Sequence, residues 1–151
     1  MTAQILAFEP KTQAPPVPDE FSFTTDSEGG WHASGRQLKV SVMPGAGRRD
    51  GRLNFRKVSY TNQVTGKRCV RTVVVAELGG VKAEISPHVV ECWRGNDFVT
   101  LRHGHVRHMR GRLTVYQKNG TTCIDAGDVK LYMHAGHVVL TRKEIPHDAG
   151  A

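Results

Sequence analysis

Turn signals punctuate this chain at intervals of roughly eight to twelve residues, and between them apolar and polar residues alternate one for one. Gly79-Gly80, Asn119-Gly120 and Ala135-Gly136 each separate two such stretches. Strand side chains point alternately to the two faces of a sheet, so a stretch of this kind buries one side and wets the other. Leu38, Val40 and Val42 against Lys39, Ser41 and Met43 set the pattern early, and Val129, Leu131 and Met133 against Lys130 and Tyr132 repeat it late. About ten short antiparallel strands are expected, which implies an all-β sandwich or a partly open barrel. There is no internal repeat and no coiled-coil heptad.

Several local features refine this layout. Phe21 to Gly35 reads as a first hairpin turning at Asp26-Ser27-Glu28-Gly29-Gly30. Residues 43–51, with three glycines and a proline, read as a flexible hairpin tip. The inward parity slips between Phe55 and Val58, which predicts a β-bulge near Arg56-Lys57. Val73-Val74-Val75 implies burial on both faces, hence a central strand. Asn119-Gly120 is the clearest type I′ hairpin signal. Ser86-Pro87 is the one good helix start, with Val89, Val90 and Trp93 on one face and Gly95 as a stop, so a short helix is expected near 87–94. A strand through His88 to Trp93 is the competing assignment, because valine and tryptophan favour strands.

A chain of 151 residues makes one ordinary domain, able to bury about 68–70% of its unfolded surface without staples. Four prolines within residues 9–20 favour extended backbone. The expected organisation is a flexible, proline-rich acidic arm at 1–20, a single β domain at 21–144 and a tail at 145–151. The apolar start Ile5-Leu6-Ala7-Phe8 is broken by Glu9 and Pro10, too short for a signal or a span, so no membrane association is expected. Cys69, Cys92 and Cys123 are odd in number and form no Cys-x-x-Cys pair. That fits free thiols in a reducing, cytoplasmic setting better than a disulfide framework.

The formal charge is +7 and the isoelectric point about 9.7. Residues 1–35 hold one cation, Lys11, against Glu9, Asp19, Glu20, Asp26 and Glu28, for a net −4; the remainder carries +11. A basic body of this kind attracts polyanions or acidic protein surfaces.

The densest chemistry is Arg102 to Arg112, which reads R-H-G-H-V-R-H-M-R-G-R. A metal reading fails on ligand arithmetic: a structural zinc needs four nitrogen or sulfur ligands, and no cysteine pair or acidic partner stands at ligand spacing. Four arginines beside a dication would also repel it. No metal and no cofactor is therefore expected: Gly66-Lys67 lacks the serine or threonine and the first glycine of a phosphate-binding loop, and Gly45-Ala46-Gly47 lacks the dinucleotide fingerprint. On one straight strand His103, His105 and Arg107 would share the side of Val99 and Leu101, and unpaired buried arginine is costly. Gly104 and Gly111 allow a break, so the stretch is expected to project its basic side chains into solvent; a pocket lined by histidine and arginine is the alternative.

Three clusters form the candidate binding surface. They are Arg48, Arg49, Arg52, Arg56 and Lys57; Lys67, Arg68 and Arg71; and Arg102, Arg107, Arg110 and Arg112 with His103, His105 and His108. Arginine suits bidentate contacts to phosphate or carboxylate. Tyr116, with Tyr60 and Tyr132, adds candidate stacking positions, although aromatics at 7% of residues are too few for an extended platform. The expected function is binding of RNA or DNA through backbone phosphates, with little sequence reading. The alternative is a protein–protein interaction module that binds an acidic partner surface, such as a phage or mobile-element inhibitor or assembly subunit. A third reading is metal-independent RNA cleavage with His103, His105, Arg107 and Glu91 as the working groups.

Overall fold

The computed structural model describes residues 15–45 and 47–142. Among the described residues every regular element is a strand: β1 (Phe21–Thr25), β2 (Trp31–Gly35), β3 (Lys39–Met43), β4 (Arg52–Thr61), β5 (Arg68–Leu78), β6 (Val81–Ile85), β7 (Val89–Arg94), β8 (Asp97–Arg102), β9 (His105–Arg110), β10 (Thr114–Lys118), β11 (Thr121–Asp125), β12 (Lys130–His134) and β13 (His137–Thr141). They form two sheets. The six-stranded sheet runs β9-β8-β7-β6-β5-β4 and is antiparallel throughout. The seven-stranded sheet runs β10-β11-β12-β13-β3-β2-β1 and is mixed, because β13 lies parallel to β3. No barrel closes, and the architecture is that of a sandwich.

The core is the layer between the sheets. Leu53, Val74, Ala76, Val81, Ala83, Ile85, Val90, Cys92, Val99 and Leu101 project from the six-stranded sheet onto Val40, Val42, Ile124, Leu131, Val138 and Leu140 of the other. These residues occupy alternate positions on their strands, as half-buried strands require. Val73 and Val75, on the opposite side of β5, are also buried. The expectation of an interior strand buried on both faces therefore holds.

Three local expectations need correction. Residues 89–94 form strand β7, not a helix: Val90 and Cys92 alternate inward with period two, and Ser86 pairs through its backbone with Val89, leaving Pro87-His88 as a two-residue loop. The helix-start signal of Ser86-Pro87 loses to this alternation and to β-branched Val89-Val90. The bulge near Arg56-Lys57 is absent, since β4 and β5 pair without interruption from Arg52↔Glu77 to Thr61↔Arg68. The parity slip arises because the hairpin outruns the sandwich: beyond Phe55, Val58 and Tyr60 lie on the outer face with Arg56. A true register shift occurs instead in β9, between Val106 and His108. Finally, residues 44–51 are no hairpin tip, because they carry the chain from β3 in one sheet to β4 in the other.

The expected count of about ten strands falls short of the thirteen present because the sequence pattern favours a helix over β7 and a break over β9, and among the described residues the expectation of wholly antiparallel pairing fails at β13–β3. Most of the expected arm and tail lies outside the described residues, as does the Ile5-Leu6-Ala7-Phe8 start. Glu20, at the end of the arm, accepts a 2.6 Å hydrogen bond from Thr72 Oγ1.

Leu131 is 1% exposed in the centre of this layer. Leu131→Ala is expected to lower the unfolding free energy by about 2–5 kcal/mol, measured by urea denaturation; a loss within error would place Leu131 outside a close-packed core.

Candidate nucleic-acid interface

Pairing register sorts the basic residues by location. On the outer face of the six-stranded sheet, one row across the strands reads Arg52, Glu77, Lys82, Trp93, Phe98, Arg110, and the next reads Asn54, Val75, Glu84, Glu91, Thr100, His108. A third contains Arg56, Val73, Val89, Arg102 and His105. Arg71 follows, opposite Val58. Arginines from all three clusters thus reach one face, but Glu84 on β6 and Glu91 on β7, with Glu77 on β5 beside Arg52, separate the β4–β5 arginines from those of β8–β9. Arg56 ion-pairs with Glu84, and Lys82 lies 3.8 Å from the same carboxylate. The basic surface is split by this acidic stripe.

The third cluster lies along the sheet edge. Arg102 pairs with His105 across a two-residue turn in which both His103 and Gly104 have positive φ, 51° and 79°, as a type I′ hairpin requires. β9 then runs as an edge strand with all six residues exposed, including Val106 and Met109 at 45% and 46%. Among the described residues Arg102, Arg107, Arg110 and Arg112 make no ion pair. A strand of six residues is about 20 Å long, and the exposed arginines on it and beside both its ends make this edge cationic and solvated.

The second cluster occupies a projecting hairpin. β4 and β5 extend past the sandwich, leaving Val70 largely exposed and Val64, in the connecting loop, at 93%. Asn62 Oδ1 accepts the backbone N–H groups of Val64 and Thr65 and shapes the tip that carries Lys67 and Arg68. The Arg71 guanidinium sits 5.7 Å from the Tyr60 ring centroid, a cation–π distance.

The first cluster disperses. Arg48 and Arg49 lie on the cross-sheet loop, Arg52 and Arg56 face outward from β4, and Lys57 turns to the other side, 3.8 Å from Glu20. The cross-sheet loop is held by Arg142, which donates to Pro44 O at 3.1 Å and to both oxygens of Asp50 at 3.0 and 2.5 Å. Arg94 similarly straps the sheets together through Ala126 O, Asp128 Oδ1 at 2.8 Å and Gly79 O at 3.4 Å. Sequence reasoning singled out neither strap, because an arginine's partners follow from tertiary pairing.

Tyr116 is exposed on β10, whereas Tyr132 is buried and offers no stacking face. A cleft of about 320 Å³ opens between the sheets at one end, where four hairpin turns meet. His103 and His105 both border it, and the His88 and His103 rings lie 4.7 Å apart. No arginine lines it, so the cleft is not the histidine–arginine pocket of the alternative reading. Glu91 stands on the outer face opposite Thr100 and Glu84, and among the described residues no hydrogen bond links it to His103, His105 or Arg107. Burial pushes the Cys92 thiol up to about 12, which keeps it protonated and unreactive at neutral pH. Comparison with protein-family models, curated proteins and solved structures finds no match to this chain.

Hydrogen bonds from Arg142 hold the Asp50 carboxyl below the usual range. A depressed folded-state pKa contributes stability that is complete above the unfolded value of about 4 and is lost as pH falls through the folded value. Asp50→Asn is expected to lower stability at pH 7 and to flatten the decline below about pH 4, read from thermal unfolding across pH; an unchanged acid limb would show that Arg142 does not act through this carboxylate.

Proposed function

We propose that the protein binds nucleic acid through its phosphates, with the β8–β9 hairpin as the principal contact and the projecting β4–β5 hairpin as a second. The observation that carries this reading is the edge formed by the β8–β9 hairpin, where Arg102, Arg107, Arg110 and Arg112 stand exposed and, among the described residues, without acidic partners. Guanidinium groups in that state lose little by desolvation and gain bidentate phosphate bonds, releasing condensed counterions. Lys67, Arg68 and Arg71 on the second hairpin extend the contact, with Tyr60 available to a base. Binding of this kind reads little sequence, because backbone contacts carry no base information.

A second reading draws on Val106 and Met109. Apolar side chains exposed on an unpaired edge strand suit a protein partner that adds a strand there, with acidic residues meeting the arginines. A nuclease-resistant complex with one acidic protein would favour it.

Fluorescence anisotropy with short RNA and DNA is expected to show affinity falling steeply with salt, with a log–log slope of about 0.7–0.9 per phosphate neutralised. Replacing Arg102, Arg107, Arg110 and Arg112 together by serine should weaken binding to all sequences alike and reduce that slope by about 3 to 4. A salt-independent signal, or an unchanged slope in the variant, overturns the reading.

A further inference from the structure

The outer face of the seven-stranded sheet carries a different chemistry. Ser41 lies in the middle of β3, opposite His32 of β2 on one side and Val139 of β13 on the other. Asp26, in the β1–β2 turn, accepts the backbone N–H groups of Glu28 and Gly30 on Oδ1 at 2.9 and 2.8 Å, and its Oδ2 meets His32 Nε2 at 2.8 Å. These bonds, that from His32 foremost, hold the Asp26 carboxyl below its usual range. A carboxylate only accepts, so His32 Nε2 carries the proton and Nδ1 presents a lone pair. Nδ1 lies 2.9 Å from Ser41 Oγ, whose hydroxyl therefore donates to it. On its other side Ser41 Oγ lies 3.3 Å from His137 Nε2, and Lys39 stands directly opposite His137 in the parallel pair.

We propose that Ser41 is a nucleophile for acyl transfer from small esters, with His32 as its general base and Asp26 as the group that positions His32. The relay meets two geometric requirements of such a site, a nucleophile bonded to a base and a base bonded to an orienting carboxylate. The imidazole nitrogens are exchanged relative to the usual serine triad, Nδ1 facing the hydroxyl and Nε2 the carboxylate. The turn is shaped around the carboxylate, since a Cβ on Gly30 would collide with Asp26. Val139, half-buried, continues the Ser41 row and provides an apolar contact for the acyl group.

In the reaction Ser41 Oγ bonds to the ester carbonyl carbon while its proton passes to His32 Nδ1 and the carbonyl π pair moves to oxygen. His137 Nε2–H and Lys39 are the donors beside that oxyanion. Collapse breaks the bond to the leaving oxygen, which takes the proton from Nδ1. Water, deprotonated by the same nitrogen, then hydrolyses acyl-Ser41 to a carboxylic acid and the free serine. Ser41 is only 7% exposed. His137, itself exposed and at the longer distance, is the side chain whose Nε2–H turns from Ser41 Oγ to the incoming ester oxygen.

The test uses the full chain with phenylmethylsulfonyl fluoride, which forms an Oγ–S bond and expels fluoride, and with 4-nitrophenyl acetate. Peptide mapping is expected to find one sulfonyl adduct, on Ser41, and nitrophenolate release is expected to be lost in Ser41→Ala. His32→Gln should slow both reactions by about 100-fold or more. Asp26→Asn should slow both reactions, because the imidazole loses the carboxylate that orients it. No adduct on the wild-type chain, an adduct elsewhere, or equal rates in a folded His32→Gln variant overturns the proposal. The wild-type mapping decides the matter even where a variant does not fold.

Discussion

The parallel pairing of β13 with β3 holds this fold together. It joins the hairpin strands at the start of the described chain to the meander at its end, from His137↔Lys39 to Thr141↔Met43, in the interior of the larger sheet. Parallel neighbours need a long crossover, and here the crossover includes the whole of the six-stranded sheet. Without this ladder the larger sheet would separate into a three-stranded and a four-stranded piece, each with a new open edge. The pairing also places the inward residues Val40 and Val42 beside Val138 and Leu140 at the centre of the core. Its contacts are distant in sequence, so loop closure must precede the gain from burial, which makes folding of this topology slow.

Arginine serves two purposes that the sequence does not separate. Arg94 and Arg142 are fastened to carbonyls and carboxylates at the end where the sheets cross over, and Arg56 is paired on an outer face. Among the described residues the four arginines from Arg102 to Arg112 have no such partners. The distinction follows from local concavity: at the crossover end the carbonyls of Gly79 and Ala126 meet the Arg94 guanidinium and that of Pro44 meets Arg142. An edge strand offers its side chains mostly water. Charge on an edge also opposes pairing with other chains, so the same residues that would attract phosphate keep the sheet from propagating.

The strand pattern was legible wherever turn and alternation agreed. Gly79-Gly80, Asn119-Gly120 and Ala135-Gly136 each close a two-residue hairpin, and the alternation around Leu38, Val40 and Val42 matches their burial. Reading failed where a local signal competed with tertiary context. Ser86-Pro87 is a sound helix start, yet the next six residues complete a sheet whose neighbours, β6 and β8, supply both ladders. The outward parity of Val58 and Tyr60 looked like a bulge because nothing local reveals where a hairpin leaves its sandwich. Strand alternation says which residues share a face; it does not say which strands are neighbours, so the acidic stripe between the arginine clusters was invisible.

The same limit governs the histidines. His103, His105 and His108 stand out in sequence because they are close together, but they do not converge on one point: His103 lies against His88, His105 borders the same cleft from the edge strand, and His108 faces solvent on the outer face. His32 and His137, at opposite ends of the described chain, drew no notice, yet both meet Ser41 Oγ through the β2–β3 and β3–β13 ladders. A strand holds residues two apart on one face at about 7 Å, too far for a direct hydrogen bond between short side chains. Neighbouring strands stand about 4.8 Å apart. Hydrogen-bonded relays on a sheet therefore run across strands, assembled from residues that sequence proximity does not connect, and the pairing that holds the fold together is also what brings Ser41 and His137 into contact.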